Sequence, residues 1–283
     1  MGAATKRRKA FLAQHSMCAF CGGGSPATTV EHCPPRALFQ DRQWPEGFEF
    51  PSCEPCNLGT DDQDLVVAML ARMDPFEEKG DRDGKLVGLM KAVNRQKPDL
   101  FRKMLPSAAQ ARQRNRELGI VPGPGQTHQE VAGVSVPEEF HNAVCTLGRK
   151  LAKGVFYRET GRVFPTDGCL LLNWFTNTDL VRHGKYPMFE LLKDIGGDAP
   201  PVQRGATYLG DQFEYKLTFS PDTNLLALQA RFGNAFGLVV FGSCVPSLLE
   251  SIVDRLRTKT GKDGPFAVLH SPTLPHFDAS SGA

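Results

Sequence analysis

Two identical cysteine pairs, Cys18-Ala-Phe-Cys21 and Cys53-Glu-Pro-Cys56, constrain this chain more than any other feature. A Cys-x2-Cys knuckle places two sulfurs about one metal, and a second knuckle closes a tetrahedral thiolate site. The expected ion is zinc, held by Cys18, Cys21, Cys53 and Cys56 as a structural staple. The alternative, four unliganded buried cysteines, requires this spacing to arise from packing alone. The stretch between Cys21 and Cys53 exceeds the roughly 15–20 residues of a zinc-ribbon loop, so further structure is expected inside it. Cys33 lies within that stretch and reads as a packed thiol, because the quartet is complete without it.

The loop also contains Thr29-Val30-Glu31-His32 followed by Pro34-Pro35, and Asn57 comes directly after the last knuckle. In this order, over about residues 15–65, the chain resembles the HNH endonucleases, the zinc-stapled ββα-metal nucleases. The resemblance implies that Glu31 is an acidic metal ligand, His32 the general base and Asn57 a helix-borne second ligand. Three positions depart from the family pattern. Asp is commoner at the place of Glu31, His is commoner at the place of Asn57, and no middle Asn stands between Pro35 and Cys53.

The residue chemistry supports the same assignment. A carboxylate and an amide carbonyl are hard oxygen donors, which points to a catalytic Mg²⁺ or Mn²⁺ on Glu31 and Asn57. Two protein ligands leave positions open for a scissile phosphate and its leaving oxygen. His32, with an ordinary pKa of about 6.5, can take a proton from water at neutral pH. Neighbouring strand residues point to opposite faces, so Glu31 and His32 serve one site only if the strand ends there; Pro34-Pro35 supplies an ending. The ordinary alternatives are a surface Glu-His pair and an Asn at a helix end.

Asp61, Asp62 and Asp64 resemble extra ligands, but Thr60 and Gln63 form a capping-box pattern, and acids complement a helix N-terminus. Leu65, Val66, Met69, Leu70 and Met73 then recur at helical spacing, so Gly59 is expected to separate two helices. Residues 61–83 carry eight acids against three bases. From Lys85 to Ile120 nine bases face only Asp99 and Glu117, and Lys6-Arg7-Arg8-Lys9 forms a second basic cluster. Beside a metal site such clusters read as phosphate contacts; the alternative is a solvated helix face.

The remainder reads as α+β. A helix is expected from Glu138 to Val155, ending near Gly161, then strands Cys169–Phe175, Gln212–Phe219, Leu225–Phe232 and Phe236–Phe241, and a helix from Pro246 to Thr258. The last three strands suggest an antiparallel meander. Asp167, His183, Tyr186, His128, His270 and His276 have no partner spacing and read as structural or incidental. Cys145, Cys169 and Cys244 lie singly in apolar stretches, as reduced core cysteines do.

The expected organisation is an HNH nuclease module with a four-cysteine zinc site at 1–75, a basic helical segment at 76–117, a linker at 118–137, an α+β domain with an antiparallel sheet at 138–262, and a mobile tail at 263–283. With neither a leader pattern nor an apolar run near the ~18 residues of a membrane span, the expectation is a cytoplasmic protein without a membrane partner. The expected function is a metal-dependent hydrolysis of nucleic acid phosphodiesters, DNA ahead of RNA, leaving 5′-phosphate and 3′-hydroxyl ends. The C-terminal part would serve target selection, a homo-oligomer or a protein partner. The alternative is a non-catalytic zinc module that binds nucleic acid or protein.

Overall fold

A computed structural model describes residues 2–74, 81–186, 189, 200–260 and 269–274. In chain order the elements begin with α1 (Ala3–Gln14), β1 (Thr29–His32), β2 (Glu49–Ser52), α2 (Glu54–Leu58) and α3 (Asp61–Leu70). Then come α4 (Leu86–Gln96), α5 (Leu100–Met104), α6 (Ala108–Leu118), α7 (His128–Val131) and α8 (Glu138–Thr160). The C-terminal half holds β3 (Cys169–Thr176), α9 (Thr178–His183), β4 (Gln203–Arg204), β5 (Thr207–Tyr208), β6 (Glu214–Ser220), β7 (Leu225–Phe232), β8 (Phe236–Ser243), α10 (Pro246–Thr260) and β9 (Leu269–His270). The chain is a mixed α+β protein with antiparallel sheets.

The larger sheet runs β6-β7-β8-β3-β9, every neighbour antiparallel. Its period of two is visible in what each face buries. Leu170, Leu172, Leu238 and Val240 face a core shared with α8, whereas Cys169, Leu171, Val239 and Phe241 face Leu249 and Val253 of α10. The expected meander of β6, β7 and β8 is present, with the turn at Pro221–Asn224.

Helix α8 is buried around nearly its whole girth because it lies between this sheet and the N-terminal elements. Two glycines allow that. A Cβ at Gly148 would stand 2.3 Å from Leu172 Cδ1, and one at Gly154 would stand 2.8 Å from the Phe50 ring. One helix thus approaches the large sheet at one glycine and β2 at the other. Phe20, Phe50, Val67 and Met69 share one hydrophobic cluster with Phe156, Leu170, Phe213 and Phe236. The segment 118–137 therefore does not divide two cores, and within it α7 is capped by Thr127, whose hydroxyl accepts from Glu130 N.

The tail expectation also changes. Leu269 and Leu171 are register partners across β9 and β3, Arg149 Nε donates to Ser271 O at 3.1 Å, and Leu274 is fully buried. The exposed backbone edge of β3 supplies the physical reason, since an edge strand offers unpaired groups to any nearby extended segment. The rest of 263–283, His276 included, lies outside the described residues.

Gly154→Ala should destabilise the zinc-loaded protein by about 1–3 kcal/mol through overpacking against Phe50. Gly88→Ala, where an added Cβ meets nothing within 4 Å in α4, should instead stabilise it by roughly 0.5–1 kcal/mol. Urea titrations of both variants test the pair, and equal effects would refute the close-approach reading.

Candidate functional site

The cysteine quartet assembles from two local folds. Around the first knuckle, Cys18 N donates to Ser25 O at 3.0 Å, Phe20 N to Cys18 Sγ at 3.3 Å, and Gly22 and Gly23 take positive φ values of 68° and 77°. Cys53 caps the N-terminus of α2, and Cys56 sits buried within that helix. All four sulfurs lie within 4.8 Å of one another. A tetrahedral zinc with bonds of about 2.3 Å needs sulfurs roughly 3.8 Å apart, so the set fits that ion with little adjustment. Hydrogen bonds from the thiols of Cys21 and Cys56 push Cys18 down to about 3, favouring a thiolate, while the same crowding pushes the Cys56 thiol up. Cys33 is fully buried and outside the quartet; burial pushes its thiol up.

Lys153 of α8, unanticipated from sequence, stands behind the quartet. It is 2% exposed, and its ammonium donates to Phe20 O at 2.7 Å. Burial pulls it down to about 8, against the opposing pull of the Cys56, Cys18 and Cys21 thiolates. A cation so placed offsets part of the negative charge of a tetrathiolate.

One helical turn away, Lys150 determines the fate of Glu31. The Glu31 carboxylate is buried, and Lys150 Nζ donates to its Oε1 at 2.5 Å and to Thr60 Oγ1 at 2.7 Å, with Asp64 Oδ2 at 3.7 Å. Thr60 therefore makes no side-chain cap bond to α3; its hydroxyl oxygen serves the ammonium instead. Burial pushes Glu31 up to about 7 and Asp64 up to about 6, each opposed by the charge of Lys150. One ammonium facing two acids is neutral when one acid keeps its proton. Asp62 pairs with Lys97 at 2.7 Å, so two of the three acids at the start of α3 bind lysines rather than a metal.

His32 and Asn57 line a different space. With Arg7, Arg8, Phe11, Thr29, Val30, Arg36, Trp44, Glu49 and Arg204 they bound a groove of about 700 Å³, and Glu31 is not among its walls. β1 ends at His32, as the prolines led one to expect, and Arg36 opens the following 3-10 turn. His32 is the register partner of Glu49; its Nε2 lies 2.9 Å from Glu49 Oε1 and 2.5 Å from Arg36 Nη2. Burial and the Arg36 charge pull His32 below its usual value, with Glu49 opposing. That pull favours the neutral ring, which keeps a lone pair on one nitrogen. Asn57 Nδ2 donates to Thr29 Oγ1 at 2.9 Å, which ties α2 to β1.

The basic groove is not built from the basic helical segment. Lys97 is committed to Asp62, Arg102 to Asp99, Lys103 to Glu139, and Arg114 to the carbonyls of Gly133 and Val134. Four arginines from α1, the loop after β1 and β4 face the groove against one carboxylate, Glu49. Arg204 had no sequence signal, because hairpin β4–β5 has only two residues per strand. Lys150 had one: it follows Leu147 by three residues, on the apolar stripe of α8.

No family model, no curated protein and no solved structure matches this chain. Among the described residues no helix is long and apolar enough to cross a membrane.

Protein purified without chelators should contain about one zinc per chain by elemental analysis, and Cys53→Ser should lose it together with the fold around the hairpin. Zinc-free wild type would refute the staple. A second expectation concerns pH. Because folding raises Glu31 from 4.5 to about 7, the folded chain keeps a proton that the unfolded chain has released between those values. Stability contributed at this position is therefore greatest at or below about pH 4.5 and declines as pH rises through about 7. In zinc-saturated urea titrations, wild type minus Glu31→Gln should fall by on the order of 3 kcal/mol across that window. A pH-independent difference would remove Glu31 as the group responsible.

Proposed function

We propose that the chain is an HNH-type nuclease hydrolysing nucleic acid phosphodiesters, DNA ahead of RNA, in the groove beside the zinc knuckles. The observation that carries this reading is His32 lining a groove walled by four arginines, with burial and the Arg36 charge pulling its ring toward the neutral form. His32 would take a proton from water while the water oxygen forms its bond to phosphorus. The bond from phosphorus to the 3′ oxygen breaks, and that oxygen leaves with a proton from solvent. Guanidinium groups meet the charge that grows on the phosphoryl oxygens, where fixed cations act most strongly. The order β1, β2, α2, with His32 ending the first strand and Asn57 on the helix, supports a ββα-metal arrangement.

The expected Mg²⁺ or Mn²⁺ pair fits only in half. Asn57 lines the groove and offers an amide oxygen, whereas the Glu31 carboxylate is buried beneath Lys150. The two do not suit one ion in this arrangement, and the steps above run through His32 and the arginines alone. The same burial favours the second reading, a zinc-stapled module that binds nucleic acid without cutting it.

Plasmid DNA should be nicked or cut, and comparing Mg²⁺, Mn²⁺ and EDTA, with zinc content verified in each, tests whether Asn57 and waters hold an ion without Glu31. His32→Ala should abolish cutting and leave zinc and folding intact. Binding without cutting in each divalent metal would establish the second reading. Changing Arg7, Arg8, Arg36 and Arg204 to Gln should flatten the dependence of log affinity on log salt by up to ~0.9 per lost contact. The same change at Arg95, Lys97, Arg102 and Lys103 should leave that slope unaltered, and the reverse result would return the phosphate grip to the helical segment.

A further inference from the structure

One wall of the groove is a stack. The guanidinium carbon of Arg204 lies 3.7 Å from the centre of the Trp44 ring, and that of Arg36 lies 4.3 Å from it. Two planar cations this close to one ring centre cannot share a face, so the indole is layered between them. His32 meets the same indole edge-on, with ring centres 6.1 Å apart. The stack therefore adjoins the side chain to which the chemistry above is assigned.

The outer layer is held in place. Glu46 N donates to Gln203 O at 3.1 Å, Gly205 N to Glu46 Oε1 at 3.0 Å, and an Arg204 Nη1 to Trp44 O at 3.4 Å. Hairpin β4–β5 is thereby tied to the Trp44–Glu46 loop, although about 160 residues separate them in sequence.

We propose that this wall receives an unpaired nucleobase, so that the groove binds single-stranded nucleic acid in preference to duplex. The proposal rests on the groove being the nucleic acid site. Arginine planes and aromatic rings stack bases whose faces are free, whereas duplex bases present only their edges and their backbone. A volume of about 700 Å³ lies within the range of small-ligand pockets, roughly 300–1,000 Å³, and suits a short stretch of strand. Four guanidiniums against Glu49 supply the charge that a phosphate backbone requires. The base would continue the stack beyond Arg204, with the flanking phosphates on Arg7, Arg8 and Arg36.

The chain has two tryptophans, so Trp174→Phe leaves Trp44 as the reporter. Without added Mg²⁺ or Mn²⁺, with zinc content verified and the strands checked to be intact afterwards, that protein is titrated with oligothymidylate, a duplex of equal length, and inorganic polyphosphate. The single strand should change Trp44 emission and bind roughly tenfold more tightly than the duplex, the scale of one stacked base. Polyphosphate should bind without the stacking signal. Arg204→Gln should lose most of the single-strand preference. Arg204→Lys, which keeps the charge and loses the plane, should retain polyphosphate binding and lose the preference. Equal affinity for duplex, or an Arg204→Gln protein that is less stable but binds unchanged, would overturn the proposal. Cleavage is measured separately, so a protein that stacks a strand without cutting it, and one that cuts without preferring single strands, are told apart.

Discussion

A lysine ammonium buried among Glu31, Thr60 and Asp64 is the contact on which the arrangement of this protein depends. It joins α8 to β1 and to the start of α3, three elements that are distant in sequence. Burying charge is unfavourable unless each charged atom finds partners, and removing one partner of such a group typically costs about 3–5 kcal/mol. Two of the three donors of Lys150 have close oxygen acceptors, and the surplus acid is neutralised by retaining a proton. Three residues along the same helix, Lys153 meets the backbone of the first knuckle and the field of its thiolates. One face of one helix thus secures both the hairpin and the cysteine quartet.

That contact also decides what the groove contains. With Glu31 drawn inward, the open side of the hairpin presents His32, Asn57 and Glu49 to a space whose other charges are arginines. The formal net charge of +2 conceals this asymmetry, and the long basic run between Lys85 and Ile120 does not reveal it either, since three of its nine bases are paired with Asp62, Asp99 and Glu139. A charge run is informative about a partner only after its intramolecular pairs are subtracted. Here four guanidiniums from separate places in the chain, and not the run that stands out in the sequence, wall the groove beside His32.

Local features were legible from the residues alone. The knuckles brought four sulfurs together because Cys-x2-Cys is a short-range geometry closed by turns at Gly22 and Gly23. The strands from Cys169 to Ser243 followed their alternation, α8 followed its apolar stripe to a stop at Gly161, and Gly59 separated α2 from α3. The prolines after His32 ended β1. Each of these depends on neighbours a few residues away, which a sequence displays directly.

Tertiary packing decided the rest. Thr60 and Gln63 matched a capping box, yet the Thr60 hydroxyl went to Lys150, because a buried ammonium without acceptors is more costly than a helix N-terminus without a side-chain cap. Adjacent Glu31 and His32 were expected to share one site; the helix packed behind β1 took the first and left the second to the groove. Arg204 reached Trp44 across a hairpin too short to leave a strand pattern. The amino-acid sequence by itself determined the cysteine quartet and the elements, since these arise from short-range geometry. Which face each charged side chain occupies was decided only by the fold, since that depends on which distant group removes it from water or leaves it there.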